Sequence, residues 1–158
     1  MPRSSTSRID IFRTSAYAFA LKHNKNHRDV ITLVNFGMPN NSARLWVVNI
    51  RTHRVLFNTQ VARGSGKGFS NRGKSHSSSL GVYITGEVYI GKHGYSLRLY
   101  GISRTNNNAY RREIVIHSAN YVSRGHVGHS WGCLALSPHL TKPIIQAIKR
   151  GTEIYVYV

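Results

Sequence analysis

Two spacings of apolar residues alternate along the chain. The segment "RTSAYAFALKHNKN" is rich in alanine and places its apolar residues at helical intervals, which predicts a helix from Thr14 to about Lys25. After "NHRD" the pattern changes. "VITLVNF", "ARLWVVNI" and "RVLFNTQVA" are β-branched and aromatic and alternate as half-buried strands do, with "GMPNNS" and "RTH" as the turns between them. The Gly/Ser/Lys stretch "RGSGKGFSNRGKSHSSSLG" reads either as a flexible linker or as an ordered functional loop. Strand patterns return in "GVYITGEVYI", "YSLRLYGI" and "EIVIHSA". The tail predicts a short helix near His139–Arg150, a stop at Gly151 and a last strand.

Mostly strands with two flanking helices make the fold class mainly β, either sandwich-like or barrel-like. No repeat or internal boundary divides the chain. We expect one domain over residues 1–158, with 1–13 as a flexible N-terminal extension. A chain of this length buries about 68–70% of its unfolded surface and needs no metal or disulfide to hold it.

Charge changes the picture more than composition does. Lys and Arg number 22 against 5 acidic residues, a net charge of +17. That excess favours anionic partners such as nucleic acid, anionic lipid or an acidic wall polymer. The basic residues are scattered, with modest clusters at Lys22–Arg28, Arg63–Lys74 and Arg104–Arg112, and no nucleic-acid-binding motif accompanies them. No apolar run approaches the about 18 residues of a transmembrane helix. "MPRSSTSRIDIF" does not read as a signal peptide.

The candidate chemistry lies in "IVIHSANYVSRGHVGHSWGC", which ends on the single cysteine, Cys133. One cysteine excludes an internal disulfide and leaves a free thiol. The bland reading is a small buried hydrophobe. The functional reading is a nucleophile whose base is His117, sixteen positions upstream at the end of the apolar run Ile114–Ile116. A rigid strand end fixes an imidazole well, and a histidine close to sulfur is expected to depress the thiol pKa. The amides of Gly132 and Cys133 are candidate oxyanion donors. No carboxylate lies between His117 and Cys133, so a backbone carbonyl or a hydroxyl such as that of Ser118 must orient the imidazole. His126, His129 and Cys133 are a weaker zinc-ligand reading, and no Gly-x-Ser-x-Gly elbow is present.

"IHSA…GHSWGCLALSP" resembles the signature of the YkuD-like L,D-transpeptidases: a His, about fifteen residues, then Ser/Thr-His-Gly-Cys and an apolar residue. Here those elements are His117 and Ser130-Trp131-Gly132-Cys133-Leu134, with Trp131 in place of the usual second His. The segments "ARLWVVNIRTHRVLFNTQVARGSG" and "FSNRGKSHSSSLGVYITGEVYIGKHGYSLRLYGI" are similar to a proteobacterial branch known as the murein L,D-transpeptidase catalytic domain, so the likeness runs from about residue 14 to 158.

The resemblance implies a sandwich- or barrel-like catalytic domain that cross-links peptidoglycan in the periplasm or cell envelope. It implies a cysteine acyl transfer from a donor stem peptide, at the L-centre of diaminopimelate, through a thioester to an acceptor amine. Hydrolysis by the same site would make an L,D-carboxypeptidase. A wall-binding or nucleic-acid-binding module with an idle thiol is the rival. Donor and acceptor stem peptides are the implied partners; no cofactor, metal, nucleic acid or membrane span is expected. The implied catalytic residues are Cys133, His117 and Ser118. Trp131, Ser130, Arg98, Tyr95, Ser96, Ser79 and Gly81 are the implied substrate contacts.

Overall fold

The computed structural model describes residues 9–158. The first helix, α1 (Ser15–Lys22), starts where Thr14 accepts the Tyr17 amide on its hydroxyl at 3.2 Å, an ordinary N-cap. It stops three residues short of the expected end, because the apolar pattern ceases at Leu21 and His27 takes φ 53°. Of the expected N-terminal extension, residues 1–8 lie outside the described residues. Ile11–Arg13 forms a 3-10 turn whose Ile11 is buried, so this part is docked rather than loose.

Ten strands follow: β1 (Val30–Asn35), β2 (Leu45–Asn49), β3 (Arg54–Thr59), β4 (Gly81–Gly91), β5 (Gly94–Gly101), β6 (Val115–Ser118), β7 (Val122–Ser123), β8 (His126–Val127), β9 (Leu134–Leu136) and β10 (Glu153–Tyr157). A second helix, α2 (Pro138–Ile148), precedes β10; it opens on Pro138, where a missing N–H costs nothing, and carries a second proline, Pro143, inside it. Strands β7 and β8 pair as a small hairpin, and the other eight form one sheet in the order β3-β2-β1-β10-β4-β5-β6-β9. The β1–β10 and β6–β9 pairings are parallel and the rest antiparallel.

The sheet curls until its edges meet. Beyond edge strand β3, Ala62 bridges Ala135 of the opposite edge strand β9, and Gly64 bridges Ser130. Arg44 fastens this return. Its guanidinium is 1% exposed and donates through Nε and Nη2 to the Val61 carbonyl, at 3.1 and 2.9 Å. Inside the curl, Val34, Leu45, Val47, Leu97, Ile116, Leu134 and Leu136 pack on Ile144, Ile145 and Ile148 of α2. Outside it, α1 covers Ile31, Leu33, Trp46 and Val48 through Tyr17 and Ala20. The mainly β, barrel-like expectation is met, with two helices.

Glu153 is out of keeping with this burial. It is 1% exposed, neither carboxylate oxygen has a hydrogen-bond partner among the described residues, and burial pushes its pKa up to about 7. Between the unfolded carboxylate range and about 7 the folded state therefore holds a proton that the unfolded state releases. Stability falls as pH rises through that window and is level above it. At pH 8 this amounts to at most about 4 kcal/mol. Thermal unfolding at pH 5 and pH 8 should show a clear loss of Tm in the parent that is much smaller in Glu153→Gln. Equal losses in both proteins would rule out this coupling.

Candidate active site

Strand register brings the candidate residues together. Ile116 aligns with Leu134 and His117 with Ala135, which puts Val115 beside Cys133. On the other side of β6, Arg98 aligns with Val115. Side chains alternate across a sheet, so Leu97, Ile116 and Leu134 enter the core. Ser96, Arg98, His117 and Cys133 then share the opposite face.

The tight approach around Cys133 is built from glycine and serine. Gly132 has φ +120°, a conformation suited to glycine. Ser130 is buried, and its hydroxyl donates to the Cys133 carbonyl at 2.7 Å and accepts the Gly132 amide at 3.1 Å. Ser78 donates to the Gly132 carbonyl at 3.1 Å and accepts the Gly64 amide at 2.9 Å. A methyl group on Gly64 would run into the His76 carbonyl and come within 2.9 Å of the Gly132 nitrogen. Gly64→Ala should therefore cost about 1–3 kcal/mol and lower Tm by about 3–10 °C in a thermal melt, displacing the Cys133 loop as it does so.

His117 is buried, and its Nδ1 lies 2.8 Å from the Ser118 carbonyl. A carbonyl only accepts, so Nδ1 carries the proton and Nε2 keeps its lone pair. The support comes from the Ser118 backbone and not from its hydroxyl. His93, in the β4–β5 turn, stacks on the imidazole with centroids 4.1 Å apart. Burial, foremost, and the nearby His93 and Lys92 push the His117 pKa below its ordinary value, against the opposing pull of the Ser118 carbonyl.

The thiol departs from expectation. Its sulfur accepts the Val115 amide at 3.4 Å and donates to the Glu113 carbonyl at 3.4 Å. No hydrogen bond joins it to His117 among the described residues. Burial raises its pKa, and the Val115 amide and the Arg112 charge only partly oppose that. The anticipated depressed thiol is corrected: burial holds the thiol pKa above its ordinary value, while that of the imidazole lies below its own.

Other candidates fall differently from the sequence reading. The Gly132 amide is already taken by Ser130, so it is not a free oxyanion donor. Ser130 and Ser79 are buried braces, Ser79 accepting from Tyr83 and Arg112, and neither is a contact surface. Tyr95 faces α2, where its hydroxyl meets Gln146. Gly81 packs on Ser103 and Thr105 and lines a separate cavity with Phe19 and Tyr155. Ser96 is buried and bonds the Gly94 carbonyl at 3.0 Å. Arg98 lies over the Tyr89 ring at 4.3 Å, 3.9 Å from the Glu87 carboxylate. Trp131 is 72% exposed and lies flat on His76, with centroids 4.6 Å apart. His126 and His129 join no metal-binding cluster among the described residues.

Sequence reasoning missed His93, Gly64 and Arg112. Arg112 organises the long Gly/Ser loop by donating to the carbonyls of Ser70 and Ser77, at 2.9 and 2.7 Å, and to the Ser75 hydroxyl at 3.1 Å. The loop is thus ordered. A single arginine within a basic cluster gave no signal of this role.

Comparison with known proteins follows the same line. A family model described as the L,D-transpeptidase catalytic domain matches residues 4–157. No curated protein matches the sequence. Among solved structures, an L,D-transpeptidase from Mycobacterium smegmatis is similar at 15% identity and TM-score 0.55, over 82% of this chain and 59% of that one. The helical cell shape determining protein Pgp2 from Campylobacter jejuni is similar at 15% identity and TM-score 0.56, over 80% and 46%. An L,D-transpeptidase from Stackebrandtia nassauensis is similar at 17% identity and TM-score 0.53, over 84% and 57%. These likenesses concern the fold, and the chain spans about half to three-fifths of the length of those structures.

Proposed function

The chain belongs to the L,D-transpeptidase catalytic domain family, and from that premise we propose that it is a peptidoglycan L,D-transpeptidase with Cys133 as nucleophile and His117 as base. The observation that carries the reading is the register: an imidazole with a free Nε2 and a thiol lie on one sheet face, two positions apart on adjacent strands. That spacing is about 6.6 Å along the strand, within reach of a turn of the cysteine side chain toward His117. Catalytic hydrogen bonds commonly tighten only once substrate is bound.

In this reading the thiol leaves the Glu113 carbonyl and passes its proton to His117 Nε2. Sulfur then bonds the donor carbonyl carbon at the L-centre of diaminopimelate. The carbon–nitrogen bond breaks, and the imidazolium proton goes to the departing D-amino acid's amine, leaving a thioester. An acceptor amine attacks that thioester and loses its proton to the imidazole, and the proton returns to sulfur as the carbon–sulfur bond breaks. The Cys133 amide, which has no acceptor among the described residues, is the remaining oxyanion donor beside Cys133. Water as acceptor gives the L,D-carboxypeptidase reaction instead. Donor and acceptor stem peptides are the partners, and the cell envelope is the place of action. Among the described residues no helix is long and apolar enough to cross a membrane.

Incubation of purified muropeptides with the protein tests the reading by mass spectrometry. Cross-linked dimers are expected. Shortened monomers alone would indicate hydrolysis. No change across several stem lengths, with no adduct on Cys133, would remove the catalytic reading.

A further inference from the structure

A cavity of about 470 Å³ opens beside the Cys133 loop, lined by Lys74, His76, Asn108, Arg111, Arg112 and Trp131. Three of these side chains are Lys or Arg and none is acidic. The ion pairs among the described residues are Arg51–Asp29 and Arg98–Glu87, so none of the cavity's cations is ion-paired among them. Arg112 is held in place by neutral oxygens of Ser70, Ser75 and Ser77, which fix its position and leave its charge uncompensated. The Trp131 ring stacks on His76 with 3° between the ring planes and gives the cavity a flat exposed wall. The cavity adjoins the reacting thiol: a Cβ on Gly132 would lie 3.3 Å from Arg112 Nη2, and Gly132 directly precedes Cys133.

We propose that this cavity is the subsite for the carboxylate of the amino acid that leaves the donor peptide. The assignment rests on the acyl-transfer reading above and adds to it a specificity determinant. In a donor ending one residue beyond the bond that breaks, the terminal carboxylate lies about one residue length, ~3.8 Å of chain, from the carbonyl under attack. A fixed guanidinium one residue from the nucleophile matches that span. Arg111 and Lys74 add long-range attraction, and the Trp131 wall bears on the leaving side chain.

The test compares a stem peptide ending in a free D-amino acid with its C-terminal carboxamide. Titration calorimetry on Cys133→Ala should show the acid binding about 10–100-fold more tightly, the scale of a hydrogen bond to a charged group. Arg111→Gln and Lys74→Gln in that background should each shrink the ratio, and neither residue holds the loop. Equal binding of acid and carboxamide would overturn the proposal. So would displacement of both peptides alike by inorganic polyphosphate, which would make the cavity a general polyanion site. Intact-mass analysis of the parent separates the two levels. Equal thioester formation from acid and carboxamide refutes the subsite and keeps the catalytic reading. Discrimination in binding with no thioester on Cys133 upholds a carboxylate site and refutes catalysis.

Discussion

Cys133→Ala should end dimer formation from muropeptides, a loss of about 10³-fold or more, while the protein still melts cooperatively near the parental temperature. The size of the loss follows from chemistry: without sulfur no thioester forms, and removal of a nucleophile that works as a unit with its base commonly costs several orders of magnitude. The mild effect on stability follows from packing. The thiol is only partly buried, and its two hydrogen bonds are long sulfur contacts to backbone groups at 3.4 Å. Intact-mass spectra with donor peptide should show an acyl adduct on the parent and none on the variant. An unchanged dimer yield in Cys133→Ala would refute the nucleophile assignment outright.

Removal of the imidazole should lower transfer by about 10²–10⁴-fold in His117→Ala, the usual range for a general base. Two pKa shifts then shape the pH dependence. His117 is held below its ordinary value by burial and by His93 and Lys92, so it stays able to accept a proton at more acidic pH than a free imidazole. Transfer should rise from acid pH along a limb whose midpoint lies below the ordinary imidazole value of about 6.5. Burial raises Cys133, so the resting protein should alkylate slowly at pH 7 and faster as pH climbs past the ordinary thiol value of about 8.5. His117→Ala should change that alkylation profile little, since no hydrogen bond ties the two groups at rest. A plateau of alkylation already reached near pH 6, abolished in His117→Ala, would instead reveal a standing thiolate–imidazolium pair.

How far the sequence reached depends on how local each signal is. The strands β1 to β5 were legible because each runs five or more residues rich in β-branched and aromatic side chains between turn residues, and α2 because an apolar periodicity ends at the Gly151 stop. Strand β9 was not, since three residues, Leu134–Leu136, are too few for a period. Cys133 and His117 stood out as residue types at a telling separation. Tyr95 and Gly81 did not keep their expected places, because a single register position decides which face a strand residue occupies.

By itself, then, the sequence determined the strand-rich class and the family motif, and singled out one thiol and one strand-end imidazole as candidates. Those features are written in neighbouring residues. The tertiary structure alone decided the direction in which the Cys133 and His117 pKa values move, the occupied Gly132 amide, the stacking of His93 and the cations without ion-pair partners around Trp131. Each of these arises where segments distant along the chain converge: Gly64, Ser78 and Arg112 meet Gly132 across intervals with no periodicity. Burial and charge proximity, which move the pKa values of Cys133 and His117, exist only once the sheet has curled and brought its two edges together.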